Sequence, residues 1–232
     1  VEYYFSDLLS KLEIRHGLNP DHDESRKKAE IELESNASAN NEQTRRLFVS
    51  LNNLFIGTMN EDETTQTLSE KVIDRANVIR FGRPQQLAAL PDKSAFLTAC
   101  NGNRRISFTG WKSWCEDEMD RVDIQNLNNI MKALNEAMAK VGRPFGHRVD
   151  QAIKKYMDCY PGEFNDALSD QIEMKILPKL NGLEGQHNKF NEVMNKIEGV
   201  IGTVNDQGLH KAFSEARTEA ADSFFKWRGV MR

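Results

Sequence analysis

Apolar side chains fall at helical spacing near both ends of the chain and at strand spacing between them. Phe5, Leu8, Leu9 and Leu12 stand at i, i+3, i+4 and i+7, which predicts an amphipathic helix over residues 1–15. Residues 16–44 are mostly charged or turn-forming. Within them Ala29 to Glu34 alternates with period two, and Arg46 to Leu51 does so less cleanly. The pair predicts a β-hairpin with a mobile tip at 35–44. Next comes the apolar run Leu54-Phe55-Ile56, closed by Gly57-Thr58-Met59-Asn60, which reads as a short buried strand with Asn60 at its carboxyl end. After a polar loop, Glu61 to Thr67, Ser69 is placed to cap a short helix over Glu70 to Arg75. Val72 and Ile73 give that helix an apolar pair. Val78 to Phe81 is a second strand candidate, stopped by Gly82 and Pro84.

Residues 82–115 read as a connector punctuated by Pro84, Pro91, Gly102 and Gly110. From about 116 the period is helical to the end. Asp123 is placed to cap a helix carrying Leu127, Ile130, Met131, Leu134 and Met138, ended by Gly142 and Pro144. A second helix carries Val149, Ile153, Tyr156 and Met157 and is broken by Pro161-Gly162. A third, 163–177, carries Phe164, Leu168, Ile172 and Ile176 up to Pro178. A fourth covers roughly 187–201, and a last one, about 207–227, carries Leu209, Phe213, Ala216 and Phe224. The pattern predicts an α+β chain that is mostly α, in two parts: 1–88 mixed, and 89–232 a helical bundle.

Composition narrows the function classes. The 232 residues are 39% hydrophobic and 28% charged, enough to bury a core and stay in solution, and the net charge of −4 argues against a strongly basic nucleic-acid-binding domain. No apolar run approaches the roughly 18–20 residues that span a membrane. Three widely spaced cysteines, Cys100, Cys115 and Cys159, fit reduced thiols and a cytoplasmic setting.

The candidate chemistry lies in residues 53–81. GTMN after an apolar run, an acidic-polar loop, and then a helix ending in Asp74-Arg75 before a strand resembles the AAA+ nucleoside triphosphatases. The closest resemblance is to the McrB-like motor subunits of modification-dependent restriction systems. The resemblance implies that Asn60 is sensor 1, which orients the attacking water, and that Arg75 is the arginine finger, which neutralises transition-state charge in a neighbouring subunit's site. Where McrB carries a run of arginines this chain has a single Arg75 flanked by Asp74 and Ala76, closer to the MoxR and dynein-like branches. No G-x-x-x-x-G-K-[ST] loop and no apolar strand ending in Asp-Glu is present. Val1 to Glu13 resembles the family's segment just after the Walker B acidic pair. The chain is therefore expected to be the carboxyl-terminal part of such a motor: the tail of an α/β core with a hairpin insertion, then a helical lid, inactive alone. The hairpin fits a substrate-contacting insertion or a surface decoration equally.

In the lid, Lys175 to Gly182 (KILPKLNG) resembles a McrB-like lid motif. Arg148, following the Gly146 turn, matches the sensor-2 arginine that reaches the γ-phosphate in cis, with Arg143 as competitor. An arginine fork suits that task because it gives two hydrogen bonds and keeps its charge. The intact protein is then expected to use ATP or GTP with Mg²⁺, to form a homo-oligomeric ring (a hexamer), to work with a nuclease subunit, and to act on DNA indirectly, with no membrane role. A metal site is expected nowhere; His16, His22, Asp21 and Asp23, and the Glu61-Asp62-Glu63 triplet, read as solvated loops. Trp111 and Trp114 read as core anchors. His147 and Cys159 have no supporting catalytic partner. The aromatic, basic tail from Phe224 to Arg232 fits a docking peptide for a partner or packing onto the lid. Two rival readings are a MoxR-like protein remodeller and a non-enzymatic helical interaction module.

Overall fold

The computed structural model describes residues 2–18, 22–33, 45–59, 68–81, 107, 109–110, 113 and 124–231. Within them the chain is mostly helical, with one two-stranded sheet. Its contacts divide it into two compact units, Val1–Ala76 and Asn77–Arg232.

In the first unit, helix α1 (Glu2–Ile14) runs into a single tight turn, Arg15–Gly17. Helix α2 (Asp23–Lys28) leads to strand β1 (Glu30–Leu33), which pairs antiparallel with β2 (Arg45–Phe48). The register sets Glu32 opposite Arg46, and their side chains form an exposed ion pair at 2.9 Å. Such a pair contributes at most about 1 kcal/mol, and the exposed Arg26 guanidinium, 5.2 Å over the Phe48 ring, adds a contact of similar size. The expected tip at 35–44 lies outside the described residues. Helix α3 (Glu70–Arg75) starts where expected. Ser69 holds the cap position through its backbone carbonyl, which accepts the N–H groups of Val72 and Ile73, and its side chain makes no capping bond. Ile73 is buried, and the Leu8, Leu9 and Leu12 stripe of α1 is half-buried.

One expectation fails here. Residues 53–59 form no strand, and Leu54, Phe55 and Met59 stand more than half exposed, with Ile56 at 93%. Val78 to Phe81 is likewise extended without a ladder, with Phe81 91% exposed. A strand exists only by pairing, and the one sheet among the described residues is β1–β2. The apolar run has the composition of a strand but finds no neighbouring strand to join among the described residues.

The second unit is built on helical stripes. Helix α4 (Ile124–Ala139) buries Leu127, Met131, Leu134 and Met138. It ends as expected at Gly142, whose φ of +71° a residue with a side chain would adopt only with strain. Helix α5 (His147–Cys159) buries Val149, Ile153 and Met157. The Tyr156 hydroxyl on α5 donates to Asp170 at 2.7 Å; burial first, and that carboxylate second, push its pKa up. Helix α6 (Phe164–Gln171) then departs from the expected single helix to 177. A wide π-type turn (Ile172–Ile176) and a tight turn (Leu177–Leu180) follow it. Pro178 explains the change, since it has no N–H to donate and its ring would strike the Met174 carbonyl of a regular helix. Helix α7 (Phe190–Val204) buries Phe190, Val193, Met194, Ile197, Val200 and Ile201, and closes on Asn205 in the left-handed region, at φ +56°.

Helix α8 (Gln207–Ala220) is capped by Asp206, whose side chain accepts the Leu209 N–H at 2.9 Å. It ends seven residues before the expected 227. The backbone beyond it turns back and pairs with 182–185: Gly185 N–H to Ser223 O, Phe225 N–H to Leu183 O, and Gly182 N–H to Phe225 O. Continuing the helix would forfeit those bonds. The aromatic tail therefore packs on its own bundle. Phe225 and Trp227 are fully buried, the Trp227 backbone N–H donates to Asn181 Oδ1 at 2.6 Å, and Phe224 points outward.

Two glycines make this packing testable. A Cβ at Gly185 would lie 1.7 Å from the Ala220 carbonyl oxygen, so Gly185→Ala should destabilise the bundle by about 2–3 kcal/mol. Gly199, exposed on α7, would meet nothing, so Gly199→Ala should stabilise it by about 0.5–1 kcal/mol. Urea denaturation of the two variants should move the midpoint in opposite directions.

Candidate functional site

Of the three residues expected to serve a nucleotide, Asn60 lies outside the described residues. Arg148 is the second residue of α5, exposed one position before the fully buried Val149. Gly146 holds the extended cap position ahead of it, so the arginine lies on the first turn of α5. The neighbouring Asp150 carboxylate is taken by Lys154 at 2.7 Å. Arg143 sits in the turn after α4, its N–H donating to the Met138 carbonyl.

Arg75 closes α3, and its side chain is drawn back onto α1 rather than projecting free. Its Nε donates to Glu13 Oε2 at 2.8 Å, across 62 residues of sequence. The pair is partly buried, with 15% of the Arg75 side chain exposed. The two Nη nitrogens make no other bond among the described residues, and neither is sealed from solvent. These are the ends of the guanidinium that take a phosphate's oxygens in fork geometry.

Two residues beyond Glu13 is a second charge with the opposite setting. Arg15 is 7% exposed, and its guanidinium binds three backbone carbonyls. Nη1 donates to Val49 O at 3.2 Å and Ser50 O at 2.7 Å, and Nη2 to Asn53 O at 3.2 Å. Nε is buried without a partner. Burial lowers the pKa below the ordinary guanidinium value, but the group stays charged. Those carbonyls belong to the turn that carries the chain from β2 into the 53–59 run. The carboxyl end of α1 thus grips both the run ahead of Asn60 and the helix that ends in Arg75.

Sequence reasoning passed over Glu13 and Arg15, although a signal was present. Leu8, Leu12 and Arg15 stand at i, i+4 and i+7, so a charge occupies the next position of an apolar stripe. A charge there is buried only with partners, and unpaired backbone carbonyls in a turn are suitable ones.

The other polar features of the second unit offer less chemistry. A groove of about 600 Å³ between α4, α6 and α7 is lined by Asn126, Ile130, Phe164, Asn195, Lys196 and Thr203 among others, with no carboxylate, imidazole or thiol to act as acid or base. Arg217 is fully engaged as a clamp between α8 and α7, bonded to Glu198 at 2.6 Å, Asn195 at 2.7 Å and Asn191 at 3.3 Å. His147 and Cys159 stand at opposite ends of α5, roughly 18 Å apart along the helix axis, too far for a thiol–imidazole pair. No three His, Cys, Asp or Glu side chains converge on a metal position among the described residues. The Glu61-Asp62-Glu63 triplet, Trp111, Trp114, Cys100 and Cys115 lie outside those residues.

A family model described as a domain of unknown function (DUF8727) matches residues 104–220, just over half of the chain. The chain belongs to this family. The DUF8727 span takes in α4 to α8 whole and stops at Ala220, before the tail that packs back on the bundle. No curated protein and no solved structure matches the chain.

Arg15 carries the local geometry, so Arg15→Met should destabilise the first unit by about 2–4 kcal/mol, three carbonyls losing a charged donor. Hydrogen exchange would report it: the Asn53 amide, bonded to Ser50 O at 3.1 Å, should lose protection while amides of α7 keep theirs.

Proposed function

We propose that this chain is the carboxyl-terminal part of an AAA+ nucleoside triphosphatase, the motor subunit of a McrBC-like modification-dependent DNA restriction system. The observation that carries the reading is the order of features from 45 to 81. A hairpin strand turns into the apolar run Leu54 to Met59, and the next described element, beyond residues 60–67, is a short helix whose last residue is Arg75. The exposure of the run supports the same reading. Four large apolar side chains held in water suit a strand whose sheet neighbours belong to another part of the protein. The helical second unit, with Arg148 on the first turn of α5, fits a lid.

In this reading Asn60 orients water, Arg75 acts in trans on the transition state, and Arg148 couples nucleotide to the lid. ATP or GTP with Mg²⁺ supplies the reactive phosphoryl group. The residues present fit only part of such a site. They offer arginine forks for phosphate, but no Gly-rich Lys-Ser/Thr loop and, among the described residues, no cluster of three His, Cys, Asp or Glu side chains that could hold a metal. They would complete a site whose cradle lies elsewhere in the intact protein, assembled as a ring of like subunits with a nuclease partner and acting in the cytoplasm. Asp74-Arg75 in place of an arginine run favours one second reading, a MoxR-like protein remodeller.

Arg75→Ala in the full-length protein should lower kcat by about 10³-fold or more, and mixing with subunits that keep Arg75 but lack their own catalytic site should restore turnover. Turnover unchanged by the substitution, or never restored in mixed rings of normal size, would remove the finger. Stimulation by DNA separates the restriction motor from the remodeller.

A further inference from the structure

An arginine that must reach a neighbouring subunit's phosphate carries a long side chain with many rotamers. Each must be lost before it can act, and holding the group beforehand lowers that cost. Arg75 is already held. The bond at 2.8 Å uses Nε, the nitrogen nearest the chain, and leaves the two Nη nitrogens without a bond among the described residues. A carboxylate aimed at the Nη pair would compete with phosphate for the fork. One aimed at Nε fixes the plane of the guanidinium and leaves the fork facing outward. Glu13 is itself fixed, since it lies one turn from the half-buried Leu9 and two residues from the buried Arg15. The contact also joins the last residue of a six-residue helix, which has little stability of its own, to a helix of thirteen residues.

We propose that Glu13 is a positioning residue for the finger, holding Arg75 by Nε so that its Nη edge is presented to a triphosphate in the adjoining subunit. The inference rests on the finger reading of Arg75 and adds the residue that orients it. Glu13 touches neither substrate nor reacting atoms. Its effect on turnover runs through Arg75.

The test uses the full-length protein with its nucleotide and compares Arg75→Ala, Glu13→Ala, Glu13→Gln and Glu13→Asp. Glu13→Ala should lower kcat by about tenfold to a hundredfold with KM for the nucleotide nearly unchanged. Glu13→Gln should recover most of that loss, because its amide oxygen still accepts from Nε. Glu13→Asp keeps the charge but shortens the reach, and should be impaired; it also serves if the alanine variant fails to fold. The deciding readout is the mixed ring. Subunits with Glu13→Ala should depress turnover in a neighbour's intact site, whereas a purely structural defect would stay within the altered subunit. A normal kcat for Glu13→Ala and Glu13→Asp beside an inactive Arg75→Ala overturns the positioning role and leaves the finger standing. A normal kcat for Arg75→Ala overturns the finger reading itself. A loss confined to the altered subunit's own site makes Glu13 structural only.

Discussion

The last turn of α1 and the tight turn that follows it carry two charges with opposite tasks, and the geometry of the first unit depends on them. Arg15 is sunk among backbone carbonyls of the turn after β2, and Glu13 reaches α3 through Arg75. A small unit with a two-stranded sheet and short helices buries little apolar surface, so a few strong polar bonds carry much of its definition. A buried guanidinium suits that role because one rigid group can satisfy several carbonyls at once. The second unit needs no such device. Its helices close on continuous stripes of Leu, Ile, Met, Val and Phe, and its polar contacts, such as the Arg217 clamp, tie together helices that already pack.

The two units therefore stand in different relations to their environment. The helical unit covers its own tail: Phe225 and Trp227 are consumed in its core, and Gly229 brings the tail within touching distance of the Arg80 backbone. The first unit leaves Leu54, Phe55, Ile56 and Met59 in water. Exposed apolar residues scattered singly are ordinary, but four within six positions of an extended segment form a patch that calls for a neighbour. Membership of the DUF8727 family concerns the helical half, so the functional argument rests on the other half, where the candidate finger and its holder lie.

Much of this architecture was legible in the sequence because helical periodicity over a dozen residues is a strong signal. The stripes of α4, α5 and α7 fall where spacing set them, and the period-two run at Ala29 to Glu34 marks β1. What escaped was decided by contacts far apart in sequence. Leu54 to Ile56 has the composition of a strand, yet composition supplies no hydrogen-bonding neighbour. The helix expected to reach 227 stops at Ala220 because residues 223–225 pair with 182–185 instead, a choice no local pattern announces. The third helix loosens before Pro178, where the proline itself was the warning. Of the candidate site, Arg75 was visible as a motif position, but its bond to Glu13 spans 62 residues and could not be read from spacing.

The central claim, that these residues complete a nucleotide site begun elsewhere in the same protein, is tested most directly by reading the coding DNA in frame upstream of Val1. The account predicts a Gly-rich loop ending in Lys-Ser or Lys-Thr, followed later by an apolar strand closing in Asp-Glu a few residues before Val1. An initiation codon immediately before Val1, or an upstream frame without that loop, would contradict it: Arg75 and Arg148 would then have no phosphate to meet.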